Sequence, residues 1–276
     1  MNSITAYPFE FISRDGLKIA CSRWDNGNPP RGVIQIAHGM GEHIGRYLGL
    51  IEVLARSGLV VFGNDHRGHG RTALPSKRFG DLGPGGFNLL VEDMVRLSSI
   101  AREENPAKPF ILLGHSMGSF AAQKYVLDHS DSISGLVLSG SGVLDGLAHN
   151  AHSTPPENIL NAHFVPVRTP SDWLSRDAAA VNEFINDPLC FRFLEPLPPK
   201  RFWQLLRNWP TRFAFAMYAP ICLFTCFRAA KIPSVSNSKE SASSWAGTAM
   251  RVCATSPMIS TRAGGMRCFT KPTAKK

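Results

Sequence analysis

The residues best equipped for chemistry are Gly114-His115-Ser116-Met117-Gly118, a G-x-S-x-G run. An apolar stretch, Ile111-Leu112-Leu113, precedes it, and a helical pattern starting at Met117 follows. Between a strand and a helix, small flanking residues permit a sharp turn that lifts a serine hydroxyl out of the sheet. Ser116 is therefore the candidate nucleophile. The plainer reading, a glycine-rich turn with an incidental serine, is disfavoured by the strand and helix around it. Acyl transfer also needs two amide N–H groups aimed at the developing oxyanion. One comes from the residue after the nucleophile and one from a glycine-rich loop after an earlier strand. Met117 and Met40 fit those roles, Met40 standing within His38-Gly39-Met40-Gly41-Glu42-His43. Alone, that run would read as an ordinary loop with solvated histidines; beside the serine turn it reads as the oxyanion loop. His38 and His43 also raise a metal site, but no Asp, His or Cys stands at ligand spacing from them, so no metal is expected.

A third run, Asp65-His66-Arg67-Gly68-His69-Gly70-Arg71, is open to reading as a catalytic Asp/His cluster, a phosphate cradle or a loop that braces the site. A triad of this type runs Ser, then Asp or Glu, then His along the chain, so residues upstream of Ser116 stand in the wrong order. The bracing loop is favoured.

The elements that must hold these runs follow from periodicity. Phe9 to Ser13 and Lys18 to Arg23 flank an Arg14-Asp15-Gly16 turn and predict a hairpin. Gly32 to Ala37, Leu59 to Phe62, Phe110 to Leu113 and Gly135 to Ser139 are short apolar runs fit for buried strands. Between them, Tyr47 to Ser57 puts Leu48, Ile51, Leu54 and Ala55 on one helical face and stops at Gly58. Phe87 to Glu104, ended by Asn105-Pro106, and Met117 to Asp128 predict two more helices. Such alternation favours an α/β fold with a mostly parallel, doubly wound sheet, whose sites lie at the carboxyl ends of the strands.

The 276 residues are 43% hydrophobic and 18% charged, an ordinary globular mixture. The longest apolar stretch, Phe213 to Phe224, is broken by Pro220 and too short to span a membrane. The first residues lack the basic start and apolar run of a secretory signal, and six scattered cysteines then suggest reduced thiols, so a cytoplasmic location is expected. The net charge of +9 is not spread evenly: residues through Cys190 sum to −3 and those from Phe191 onward to +12. The final 86 residues contain neither aspartate nor histidine, Asp187 and His163 being the last of each.

The three runs together resemble the monoacylglycerol lipase and lysophospholipase branch of the α/β-hydrolases, a serine aminopeptidase-like hydrolase domain. Trp173-Leu174-Ser175-Arg176-Asp177 and Asp187-Pro188-Leu189-Cys190 resemble that family's cap region, so the likeness covers about the first 190 residues. It implies an α/β-hydrolase core over 1–190, with a helical cap at about 145–190. It also implies a cytoplasmic serine hydrolase of carboxylic esters of glycerol or glycerophospholipid, without metal or organic cofactor. Its substrate would be a small lipid ester, its contact with membrane surfaces at most transient, and nucleic acid would not be a partner. Ser116 carries over as nucleophile and the Met40 and Met117 amides as oxyanion donors, while His38 orders its loop.

The family's acid lies in a segment like SGSEDPV and its base in one like GRHEM, and neither is present. A rule of the genetic code accounts for this. Joining each codon's last base to the next two turns Ile221 to Ser234 into LPIYLFSGSEDPV under a permitted codon choice. The same step turns Gly265 to Lys275 into HEMLHETNRK. Both missing motifs return in one frame and in order. The expectation is a one-base frameshift between Cys190 and Arg201. Residues 191–276 would then be an out-of-frame, poorly ordered basic tail, and the C-terminal strands and last helix would be missing. The competing readings are a genuine basic interaction module in the tail and a non-catalytic protein that binds an acyl ligand at Ser116.

Overall fold

A computed structural model describes residues 3–141, 161–162 and 164–191, together with the backbone of Thr225–Arg228. The chain divides into the units Met1–Ser234 and Val235–Lys276, and every described residue lies in the first. Most of the tail, and residues 142–160, which include the first part of the segment expected as a cap, lie outside the described residues.

β1 (Thr5–Ile12) and β2 (Lys18–Asp25) form the expected hairpin, each longer than its apolar pattern. Gly16 turns it at φ +84°, a value that residues with a side chain rarely adopt. β3 (Gly32–Ala37), β4 (Leu59–Asn64), β5 (Phe110–His115) and β6 (Gly135–Ser139) are the parallel centre, and the sheet runs β1-β2-β4-β3-β5-β6 before one further edge strand. Strand alternation explains why these runs are apolar throughout: successive side chains point to opposite faces, and both faces are covered. Val33, Val60, Phe62 and Leu112 enter the cluster shared with α3 (Gly86–Glu104) and α4 (Met117–His129). Ile34, Ile36, Val61 and Leu113 enter the opposite one, under α1 (Leu48–Arg56). Gln35 is the polar exception in β3, fully buried but satisfied: it donates to the Met94 carbonyl at 3.1 Å and accepts from Ser98 Oγ at 2.7 Å.

Two details depart from the pattern. The segment expected as one helix from Tyr47 opens as a 3-10 turn, Ile44–Tyr47, before α1 begins. The tighter turn brings in Ile44, which joins Ile51 and Ala55 inside, while Leu48 is 49% exposed rather than on the buried face. The sheet also continues past β6. β7 (Thr225–Arg228), from the tail expected to supply no strand, pairs antiparallel with β6 over Gly135–Leu138. Antiparallel pairing asks only for backbone groups and no crossover helix, so the open edge of β6 accepts a short extended segment. Of the segment expected as a cap, α5 (Ala178–Asn186) is described, its N-terminus capped by the Asp177 carboxylate, which accepts from Ala179 N–H at 2.9 Å. A short helix, α2 (Gly70–Ala73), had no counterpart in the periodicity. Among the described residues no helix is long and apolar enough to cross a membrane.

Candidate active site

Ser116 sits between the end of β5 and the start of α4 with φ 49° and ψ −119°, backbone angles that cost energy for a residue with a side chain. The surroundings enforce them. The Ser116 N–H continues the sheet by donating to the Ser139 carbonyl at 2.9 Å, while its own carbonyl accepts from Ser119 N–H at 2.9 Å inside the first turn of α4. A methyl on Gly118 would overlap the Ala37 carbonyl of β3, and one on Gly114 would overlap Gly118. The two glycines let β5, α4 and β3 approach closely, and that approach forces the turn.

The His38 loop lies against this elbow: a methyl on Gly39 would stand 3.2 Å from Ser116 Cβ. Among the described residues neither the Met40 nor the Met117 N–H donates to another group. Met117 is buried and Met40 partly so. The neighbouring Gly39 N–H, by contrast, is held by Glu42 Oε1 at 2.7 Å, which also accepts from the Tyr47 hydroxyl at 2.6 Å. The sequence singled out neither Glu42 nor Tyr47 as a brace of this loop. The only local hint was a carboxylate three residues after a glycine.

His38 is fully buried, with both nitrogens occupied: Nδ1 donates to the Gly39 carbonyl at 2.7 Å and Nε2 accepts from His66 N–H at 2.9 Å. Burial, with His69 beside it, pushes its pKa down to about 3, so the ring stays neutral and serves as a strut. His66 and His69 are buried around it, their rings centred 4.2 and 5.3 Å from that of His38, and burial lowers both pKa values. Asp65 holds three segments together, accepting from Ile44 N–H at 3.0 Å and from the Arg71 amide and Nε at 2.9 and 2.7 Å. Arg67 is fully buried and reaches Asp93, Asp15, Ser13 and the Leu82 carbonyl. None of these contacts involves Ser116.

Two of these carboxylates set an acid limit. The Arg67 guanidinium holds Asp15 down at about 2. Burial alone would raise Asp65, but His38 and Arg71 keep it below its ordinary value. Both groups bind a proton more readily unfolded than folded, so the stability they contribute is complete above about pH 4 and is lost as the pH falls toward 2. Urea midpoints measured from pH 7 to 3 are expected to fall below about pH 6.5, where His38, His66 and His69 take up protons in the unfolded chain but not in the buried site. They are expected to fall further below about pH 4, this second drop being flatter in Asp15→Asn. A midpoint that rises on acidification refutes this assignment.

The structure overturns one premise of the sequence. His43 does have partners at ligand range: Asp187 and Cys190 come from the segment after α5, with the three donor atoms all within 4.8 Å of one another. They were hidden because Asp187 stands 144 residues away along the chain. The protons nevertheless describe a brace. His43 Nδ1 accepts from Gly45 N–H at 3.2 Å, so Nε2 holds the proton and donates it to Asp187 Oδ2 at 2.9 Å. Burial, reinforced by Asp187, pushes the Cys190 thiol up to about 12.

The chain that forms this fold and this serine turn is similar to known proteins. Residues 28–207 match the family described as serine aminopeptidase, S33. The chain belongs to that family. Within this α/β-hydrolase family, the monoacylglycerol lipase of Mycolicibacterium smegmatis is 33% identical over 198 residues, covering 68% of this chain and 67% of the relative. The monoglyceride lipase of Homo sapiens is 30% identical over 66% of this chain but 59% of its own length. A solved carboxyl esterase from Bacillus coagulans, in complex with glycerol, superposes with a TM-score of 0.64 at 30% identity, over 74% of this chain and 72% of its own. The chain thus spans about three fifths to two thirds of these lipases.

Proposed function

We propose that the first 191 residues are the nucleophile half of a serine hydrolase that cleaves a small lipid ester, monoacylglycerol or lysophospholipid, by way of an acyl-enzyme. The observation that carries this is the Ser116 elbow, with its enforced positive φ and the Gly39–Met40 loop against it. In the proposed reaction Ser116 Oγ attacks the ester carbonyl carbon, and the Met40 and Met117 amides hold the oxyanion. The alcohol leaves with the serine proton, and water then releases the acid. That relay needs a base. No histidine follows His163 in the chain as written, so it lacks the base and acid in the order the family uses and is inert. A one-base frameshift between Cys190 and Arg201 explains the loss. The family match supports this by ending at residue 207, close behind that interval. We place the protein in the cytoplasm, without a cofactor and at most transiently at membrane surfaces.

The test uses the frame-restored protein and a fluorophosphonate, which phosphonylates an activated serine with loss of fluoride. Mass spectrometry is expected to find the adduct on the peptide containing Ser116 and none in Ser116→Ala. A folded protein labelled elsewhere or not at all refutes the hydrolase reading and leaves the acyl-binding one.

A further inference from the structure

We propose that Asp187 is a positioning residue: by taking the His43 Nε2 proton it couples the cap to the oxyanion loop and so sets where the Met40 amide stands. The inference rests on the reading of Met40 as an oxyanion donor. The loop from Gly39 to His43 is fixed at three points. Glu42 takes the Gly39 N–H at 2.7 Å. The Gly41 carbonyl accepts from Phe191 N–H at 2.9 Å. His43 Nε2 donates to Asp187 at 2.9 Å. Met40 lies between the first two anchors with its own N–H unused among the described residues. Two of the three anchors therefore come from 187–191, across the fold.

The contact is built for close approach. Gly41 has φ +77°, and a methyl there would stand 2.5 Å from the Phe191 carbonyl oxygen, so cap and loop meet backbone to backbone. The Phe191 ring is in turn centred 5.0 Å from that of His69 and 6.0 Å from that of Phe79. Asp187 is itself locked. It ends α5, its Oδ1 accepts from Leu189 N–H at 2.9 Å, and its carbonyl accepts from Cys190 N–H at 3.0 Å. Burial would raise its carboxyl, but His43 and the Leu189 amide hold it below its ordinary value, so it is an anionic acceptor at neutral pH. On the other side His43 caps the 3-10 turn through Nδ1, and a methyl on Gly45 would press on its ring at 2.8 Å. A shift of the end of α5 is passed through a fixed carboxylate to a fixed imidazole, and from there to the loop.

The experiment has two arms. In the chain as written, peptide-level hydrogen exchange over 39–43 is compared for the parent, Asp187→Ala and Asp177→Ala. The last uncaps α5 without touching His43. Exchange is expected to quicken about tenfold in Asp187→Ala and to stay near the parent in Asp177→Ala. In the frame-restored protein, Asp187→Ala and His43→Ala are each expected to lower kcat about tenfold with KM within about twofold. The double variant should fall little below the worse single one, because both remove the same link. Unaltered loop exchange, losses that multiply in the double variant, or a change confined to KM overturns the proposal. So does loss of protection in β3 and β5 together with the loop, which reports general unfolding. A parent whose turnover does not depend on Ser116 refutes the proposed function instead, and the exchange arm still decides the coupling.

Discussion

The chain as written is expected to hydrolyse short-chain aryl esters or monoacylglycerol no faster than its own Ser116→Ala variant, and restoring the frame by one base is expected to bring activity back. The elbow and the loop address only part of the barrier. A serine hydroxyl is a weak nucleophile at neutral pH unless a base takes its proton. Among the described residues, the two histidines of the loop against the elbow do not supply one. Both nitrogens of His38 are committed and its pKa lies at about 3. His43 donates to Asp187 and accepts from Gly45. In a well-studied serine protease, subtilisin, losing the histidine alone costs on the order of 10⁶ in turnover, while binding and oxyanion donors retain about 10³ to 10⁴ over water. A difference of that size is easily read at matched soluble concentrations. Ser116-dependent turnover by the chain as written overturns the claim that its base is missing.

The second large effect is on stability. Arg67→Ala is expected to lower the unfolding free energy of the first unit by about 3 to 5 kcal/mol, the scale for stripping one partner from a buried ion pair. Arg67 is 0% exposed and Asp93 is 2% exposed. The guanidinium meets Asp93 through Nε at 2.8 Å, Asp15 through Nη1 at 2.9 Å, and Ser13 through Nη2 at 2.9 Å. Its removal leaves the Asp93 carboxyl buried with only Ser13 as a donor. Such a loss is a large share of the roughly 5 to 15 kcal/mol that holds a domain folded. Arg67→Lys keeps the charge but not the planar fork that serves both carboxylates, so it is expected to fall between the two. Urea unfolding followed by circular dichroism measures all three proteins. A change below about 1 kcal/mol in Arg67→Ala shows that the network does not brace the fold.

The strands and the elbow were legible in the sequence because their signals are local. Gly32–Ala37 and Gly135–Ser139 matched their apolar runs to the residue, since a strand covered on both faces is built almost wholly from apolar residues. The Gly114-to-Gly118 run was legible because close backbone approach tolerates only small residues at those two positions. That no histidine follows His163 was also plain, being a matter of residue types alone. What only the tertiary structure decided are relations between residues far apart, which leave no period behind. Ile44 replaces Leu48 in the core because a 3-10 turn changes the helical phase. Arg67 stood in a run expected to brace the site, but its partners Asp15 and Asp93, brought to it from a hairpin and from α3, left no sign in the sequence. His43 had no partner visible at ligand spacing until the fold brought Asp187 to it from 144 residues along the chain. Sequence spacing measures distance along the chain, whereas a hydrogen bond needs 3 Å in space, and the fold alone converts one into the other.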